Sequence, residues 1–164
     1  MQYAHGDGLL FSATVVDETG IYATGAYETD FDTISAARTD IAAAADAGYS
    51  ELGAFLADSG FPHVLRFWNY LAAITEGIDD AERYRQFCIG RARGLPWQSH
   101  YPAATAIGIS ASVRNTGRKL QIYFLAATSP GTPIENPRQL SPYRYPRQYG
   151  PPPPTFPRAH PAPT

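Results

Sequence analysis

Twelve of the fifteen prolines in this 164-residue chain lie beyond Thr128, and that imbalance limits what the chain can fold into. Proline donates no backbone hydrogen bond and holds φ near one value, so Tyr149-Gly150-Pro151-Pro152-Pro153-Pro154 can neither extend a helix nor occupy a central strand. Every long regular element must come from the earlier part of the chain. The sequence therefore divides into one folded domain over residues 1–130, a proline-rich segment over 131–158, and a tail over 159–164 expected to be disordered.

The apolar, partly β-branched run from Gly8 to Val16 predicts a strand, with no regular element before it. Residues 17–37 mix acids with Gly20 and Gly25 and read as loop, with a short extended piece near Ile21 to Tyr27. From Thr39 to Ser59, Ile41, Ala44, Ala45, Gly48, Leu52, Phe55 and Leu56 recur at steps of three and four, the stripe of an amphipathic helix. Thr39 or Asp40 is placed to cap it, and Gly60 with Pro62 to end it. Gly48 inside that helix costs up to about 1 kcal/mol against alanine, which points to close packing on a sheet.

His63 to Leu71 predicts a strand near the sheet centre, with Val64, Arg66, Trp68 and Tyr70 on one face and Leu65, Phe67, Asn69 and Leu71 on the other. Asp79 to Arg93 predicts a second helix, opened by acids and closed by arginines as the helix dipole favours. Ala103 to Ala111 and Lys119 to Ala127 predict two more strands. Asn115-Thr116-Gly117 between them is a hairpin-type turn signal, so the two are expected to pair antiparallel. The order strand, helix, strand, helix, strand, strand implies an α+β layer with both helices on one face of a mixed sheet. The other face is left uncovered, and its natural use is packing against a second domain or another subunit.

A net charge of −2 and a pI near 6.0 give no general field for nucleic acid or an anionic membrane, so any positive site is local. The single cysteine, Cys88, excludes an internal disulfide, and His5, His63, His100 and His160 show no metal-ligand spacing, so no metal is expected. No apolar run is long enough to span a bilayer, and there is no basic start followed by an apolar core, which leaves the cytoplasm as the default compartment.

Few polar residues stand out against this frame. Asn69 lies among apolar neighbours and must either bond a nearby turn or face a ligand. Tyr84, Phe87, Cys88 and Arg91 share one face of the second helix. On spacing alone Arg91 either snorkels to solvent, the commoner outcome, or neutralises something buried. Cys88 reads as an inert buried thiol rather than a nucleophile. Beyond Thr128, Arg138, Arg144 and Arg147 alternate with Tyr143, Tyr145 and Tyr149 among prolines. Such a stretch is either a rigid anion-binding loop, since guanidinium forks suit carboxylates, or a stiff connector.

Five ordered motifs carry a resemblance: Phe67-Trp68-Asn69-Tyr70-Leu71; Glu82-Arg83-Tyr84-Arg85-Gln86-Phe87 with Gly90-Arg91; Ala103-Ala104-Thr105-Ala106-Ile107-Gly108; Glu135-Asn136-Pro137-Arg138-Gln139; and Tyr143-Arg144-Tyr145-Pro146. Over residues 60–158 the chain resembles the chorismatase family, enzymes that hydrolyse chorismate or convert it to a hydroxybenzoate, and whose architecture is similar to RidA/YjgF proteins. The resemblance implies cleavage of the enolpyruvyl ether of chorismate, with no metal or organic cofactor, to pyruvate and a hydroxybenzoate or dihydroxycyclohexadiene carboxylate.

Such chemistry needs cations to hold two carboxylates while an acid protonates the enol ether. By motif position, the resemblance implies Arg91 and Arg138 as carboxylate binders, Tyr143 and Tyr145 as orienting hydroxyls, Asn69 and Gln139 as polar support, and Tyr84 as a further substrate-binding residue. Family members are about twice as long as this chain, and the glutamate credited as their acid lies in a C-terminal half beyond the motif seen here as Phe156-Pro157-Arg158-Ala159. The catalytic acid is therefore unassigned, Glu135 being the only acid inside the Ile134–Pro146 motif, and the chain alone is expected to turn over poorly. Self-association, or docking of a missing C-terminal half on the open sheet face, is the expected protein partnership. A RidA-like trimer that deaminates enamines or imines and a non-catalytic binding subunit are the alternatives.

Overall fold

A computed structural model describes residues 1–18, 41–96, 101–109, 118–153, 156–157, 159 and 161. Its strands are β1 (Gln2–Gly6), β2 (Leu9–Asp17), β3 (His63–Ala72), β4 (Ala103–Ile109) and β5 (Lys119–Ala127), and its helices are α1 (Ile41–Ser59) and α2 (Arg83–Gly94). The expected loop and extended piece before α1, the Thr39 or Asp40 cap, the Asn115-Thr116-Gly117 turn, and all of the tail except Ala159 and Pro161 lie outside the described residues.

The five strands form one mixed sheet in the order β1-β2-β5-β3-β4, with both helices on one face, an α+β layer. The sheet is antiparallel except where β3 runs parallel to β4. The expected antiparallel pairing of the last two strands is therefore wrong. Alternate residues Leu120, Ile122, Phe124 and Ala126 of β5 are fully buried, and the strand inserts between β2 and β3, bonded on both edges. The chain leaves β3 through α2 and returns as β4 beside it, the usual β-α-β crossover. A turn signal reports a reversal of direction and not which strand fills the gap beside it.

A second correction concerns the N-terminus, where β1 precedes the strand expected to be first. Asp7 (φ 50°) and Gly8 (φ 75°) form the two-residue turn of a tight hairpin, and β1 pairs with β2 from Gln2↔Ala13 to Gly6↔Leu9. All five residues of β1 are exposed, as suits an edge strand.

The core lies between sheet and helices. Tyr49 and Leu52 of α1, Phe67 and Leu71 of β3, and Leu120, Ile122 and Phe124 of β5 are sealed from solvent, each large apolar side chain contributing on the order of 2 kcal/mol. Gly48 does mark close packing: a Cβ there would stand 2.9 Å from Val16 Cγ2 and 3.2 Å from Ile122 Cδ1. The two helices touch even more closely, since a Cβ on Gly90 would lie 2.0 Å from the Ala42 carbonyl oxygen and one on Gly94 2.5 Å from that of Asp46. At the end of α1, Gly60 adopts φ 77°, the left-handed stop the sequence calls for. The second helix starts later than expected, because Asp79 (φ 51°) and Asp80 belong to a separate 3-10 turn, Asp79–Ala81.

A β-bulge between Val64 and Arg66 alters the expected alternation in β3. Val64 stands opposite Ala126 and joins the helix-side core, whereas strict alternation puts it with Arg66, Trp68 and Tyr70. From Arg66 onward the reading holds, with Phe67, Asn69 and Leu71 buried.

The other sheet face carries Phe11, Val15, Trp68, Tyr70, Ile107 and Tyr123, with Phe11 47% and Val15 56% exposed. The Arg66 guanidinium sits 5.2 Å from the Trp68 ring and bonds Thr105 Oγ1 at 2.8 Å. A shallow concavity of about 440 Å³ on this face is lined by Phe11, Trp68, Tyr70, Ile109, Gln121 and Tyr123.

Candidate functional site

The polar chemistry gathers on the helix side, where α2 meets the proline-rich segment. Arg91 is the centre of it. The side chain is 5% exposed, so it does not snorkel, contrary to the commoner outcome for such a position. Close contact of α2 with α1 at Gly90 and Gly94 holds it inside, and its guanidinium lies 5.6 Å from the Tyr49 ring centroid, hydrogen-bonded to the Tyr49 side chain.

Tyr49 in turn connects Arg91 to Asn69. The Tyr49 hydroxyl donates to Asn69 Oδ1 at 2.7 Å, and Asn69 Nδ2 donates to the backbone oxygen of Thr105 at 3.2 Å. Asn69 thus bonds a buried phenol and a neighbouring strand rather than a nearby turn. Burial raises the Tyr49 hydroxyl above its ordinary pKa, against the lowering pull of Arg91, so the phenol keeps its proton at neutral pH.

One turn back along α2, Tyr84 and Cys88 share a hydrogen bond, and burial pushes both groups up. The Cys88 thiol is protonated at neutral pH, which fits an inert role better than a nucleophilic one. The charge of Arg91 acts on Tyr84, Cys88 and Tyr143, and Tyr145 lies near enough to Tyr84 to perturb it. Tyr143 packs on Tyr101 with ring centroids 6.2 Å apart, and burial first, then the charge of Glu135, raises its hydroxyl.

The proline-rich segment is folded back on α2 and is no free connector. Arg147 forks onto Asp80 at 2.6 and 2.9 Å, Arg85 Nη2 donates to the Gln148 carbonyl at 2.7 Å, and Ile134 and Ala159 pair backbone to backbone at 2.9 and 3.2 Å. The Arg147 guanidinium beside Asp80 holds that carboxyl below its ordinary value.

Five of the seven expected site residues, Asn69, Tyr84, Arg91, Tyr143 and Tyr145, are thus linked in one neighbourhood. Arg138 and Gln139 are not drawn into it. Both are exposed, in a turn organised by Asn136, whose Oδ1 accepts from the Arg138 amide at 2.9 Å and whose carbonyl accepts from the Gln139 amide at 3.1 Å. Tyr49 and Tyr101 went unnoticed in the sequence. For Tyr49 a signal exists, since it is the one aromatic residue in the Ala-rich first half of α1, four residues after the buried Ala45.

The cluster offers one buried cation beside phenol hydroxyls and a thiol, an arrangement that can hold a carboxylate and orient it by hydroxyl hydrogen bonds. Among the described residues the aromatic concavity on the opposite sheet face has no charged lining residue, and on chemical grounds the helix side is the better ligand site. Among the described residues no group of three or more His, Cys, Asp or Glu side chains is placed to hold a metal ion, and no helix is long and apolar enough to cross a membrane.

Comparison with known proteins agrees with the motif resemblance. A chorismatase from Streptomyces rapamycinicus is 39% identical over 124 residues, covering 72% of this chain and 35% of that protein. A 3-hydroxybenzoate synthase from Streptomyces hygroscopicus is 34% identical over 163 residues, covering 96% of this chain and 41% of that protein. A chorismatase crystal structure superposes with a TM-score of 0.70 at 33% identity, over 96% of this chain and 42% of its own. A putative endoribonuclease from Klebsiella pneumoniae shares the fold alone, with a TM-score of 0.50 at 14% identity, over 76% of this chain and 96% of its own. The chain spans about two-fifths of the length of the chorismatases it matches. Residues 1–126 match the model of the N-terminal part of FkbO/Hyg5-like chorismatases, and the chain belongs to that family.

Proposed function

We propose that this chain forms the carboxylate-holding half of a chorismatase-type site that takes chorismate as its substrate. The observation that carries the reading is the buried position of Arg91, whose charge acts on Tyr84 and Tyr143, because a guanidinium beside phenol hydroxyls can hold and orient a carboxylate. Arg91 binds one carboxylate, the Tyr143 and Tyr145 hydroxyls orient the ligand, Tyr84 closes the α2 side, and Asn69 supports Arg91 from below. Arg138 and Gln139, exposed in the loop, serve only if the loop closes over the ligand. Neither a metal nor an organic cofactor has a part in this scheme. Protonation of the enolpyruvyl methylene produces an oxocarbenium-like carbon; water adds to it to give a hemiketal, and collapse of the hemiketal, with the ether oxygen leaving on the ring as a hydroxyl, releases pyruvate.

Two carboxylates act on this cluster from outside, Glu135 on Tyr143 and Glu82 on Cys88, and neither is assigned as the acid in this scheme. The acid therefore comes from outside this cluster, and turnover by the 164-residue chain alone is low. The exposed aromatic sheet face, with Phe11, Val15 and Ile107, is where the remainder of such an enzyme docks. The neutral free thiol of Cys88 suits a reducing cytoplasm.

The test is a thermal-shift titration with chorismate and with 3-hydroxybenzoate, paired with a coupled assay for pyruvate. A saturable stabilisation that Arg91→Ala abolishes, with little pyruvate formed, is the expected result. Absence of any shift at millimolar ligand overturns the binding reading, and pyruvate release at ordinary enzymatic rates overturns the claim that the acid lies elsewhere.

A further inference from the structure

The link between Arg91 and the sheet has a direction. The backbone oxygen of Thr105 can only accept, so the Asn69 amide must turn its Nδ2 toward it, at 3.2 Å; the opposite flip would set two oxygens face to face. Asn69 Oδ1 is thereby presented to Tyr49, whose hydroxyl must donate its one proton there, at 2.7 Å. What the Tyr49 oxygen has left is lone pairs, and the neighbouring guanidinium has only donors to offer. Each group in the series has one role, dictated from the β4 backbone outward.

We propose that Tyr49 is a positioning residue, fixing the Arg91 guanidinium for an anionic ligand through a one-way hydrogen-bond chain to Asn69 and the Thr105 carbonyl. Tyr49 is itself rigid: it is fully buried, and its ring meets Phe67 edge-on with centroids 5.0 Å apart. A guanidinium hung from an exposed residue keeps several rotamers and loses that freedom when it binds an anion. Here the ordering is done on folding, which favours the ligand. This inference rests on the reading of Arg91 as the carboxylate binder, and it adds a specific role for a residue that touches no ligand.

The experiment uses the full chain with nitrogen-15-labelled arginine. Pinned on Tyr49, the two Nη groups of Arg91 exchange slowly by rotation about the Nε–Cζ bond and give separate signals. In Tyr49→Phe the ring packing remains and the oxygen is gone; the separate Nη signals should merge, and the dissociation constant for 3-hydroxybenzoate should rise roughly tenfold. Asn69→Leu cuts the chain one link further on and should move both readouts the same way, should Tyr49→Phe fold badly. Leu10→Ala, which loosens the core in β2 and alters no residue of the chain or its ring contacts, should lower stability and leave the Arg91 signals separate.

Separate, unchanged Nη signals in a folded Tyr49→Phe or Asn69→Leu variant overturn the inference, whatever happens to binding. If the wild type binds no anion while Tyr49→Phe merges the signals, the ligand reading fails and the positioning role stands.

Discussion

Gly90 is the point at which the two helices approach most closely, and substituting it tests whether that approach holds the site together. A Cβ on residue 90 would lie 2.0 Å from the Ala42 carbonyl oxygen, 2.8 Å from its carbon and 2.9 Å from its Cα. The helices must part by about 1 Å merely to reach 3.0 Å, below which real Cβ atoms are essentially never found. The obstacle is backbone, which has no rotamer to escape into, so Gly90→Ala falls at the upper end of the usual overpacking cost of about 1–3 kcal/mol. Alanine returns about 1 kcal/mol in helix propensity. The net loss is about 2 kcal/mol, a fall in Tm of roughly 4–8 °C for a chain of this size. Gly48→Ala is the internal control. Its Cβ would meet only side-chain tips, Val16 Cγ2 at 2.9 Å and Ile122 Cδ1 at 3.2 Å, and these can shift, so stability should stay within about 1 kcal/mol of wild type. Urea denaturation of both variants decides the matter. A Gly90→Ala chain as stable as wild type, or a Gly48→Ala chain that suffers more, refutes the close-approach argument.

Two electrostatic predictions follow from other contacts. Glu18 and Arg83 form a buried ion pair at 2.6 Å, with side chains 0% and 6% exposed, and Arg83 also donates to the Ala72 carbonyl at 3.1 Å. Glu18→Ala should cost about 3–5 kcal/mol by stripping a buried guanidinium of its counter-charge, and Glu18→Leu with Arg83→Met should cost less than either single change; a double-mutant cycle in urea reads this directly, and a single cost below about 1 kcal/mol would contradict it. Asp80 is partly exposed and held below its ordinary 3.8 by Arg147. The contact therefore contributes above pH 3.8 and is lost as pH falls through the lowered value, so an NMR titration of the Asp80 carboxyl should show a midpoint under 3.8 that Arg147→Gln moves back up. A wild-type midpoint at or above 3.8 would mean that the loop is not held there in solution.

What the sequence revealed and what it concealed divide along a physical line. Periodicity is local, and it located α1, β3 and β5 to within a residue or two, because each buries one continuous stripe or face. It could not reveal that β5 inserts beside β3, since strand order depends on which edges remain open after the crossover through α2. The edge strand β1 has no buried face and so no alternation to detect; its signal was the Asp7-Gly8 turn. A bulge shifts the register at Val64 without any proline or glycine to announce it. In the site, Arg91, Tyr84, Tyr143 and Tyr145 were legible as a motif pattern, whereas the burial of Arg91 depends on the helix contact at Gly90 and Gly94. Arg138 and Gln139 have the right chemistry for the role, yet the Asn136 turn leaves them exposed.

A buried cation connected to the sheet by buried polar groups sets stability against function at a single residue. Arg91 is 5% exposed, a charge held almost out of solvent. Replacing a buried charge by an apolar side chain of similar length removes a desolvation cost, and such exchanges are often neutral or stabilising, by up to about 4 kcal/mol. Arg91→Met keeps the unbranched stem, and Tyr49 keeps its bond to Asn69 at 2.7 Å, so the loss at Tyr49 is one hydrogen bond on the phenol oxygen, worth about 1 kcal/mol. The expected outcome is a Tm equal to or above that of wild type, together with loss of the ligand-induced thermal shift. A residue retained for structure would behave in the opposite way, and an unfolded or strongly destabilised Arg91→Met chain would show that the fold, and not a carboxylate, is what the guanidinium serves.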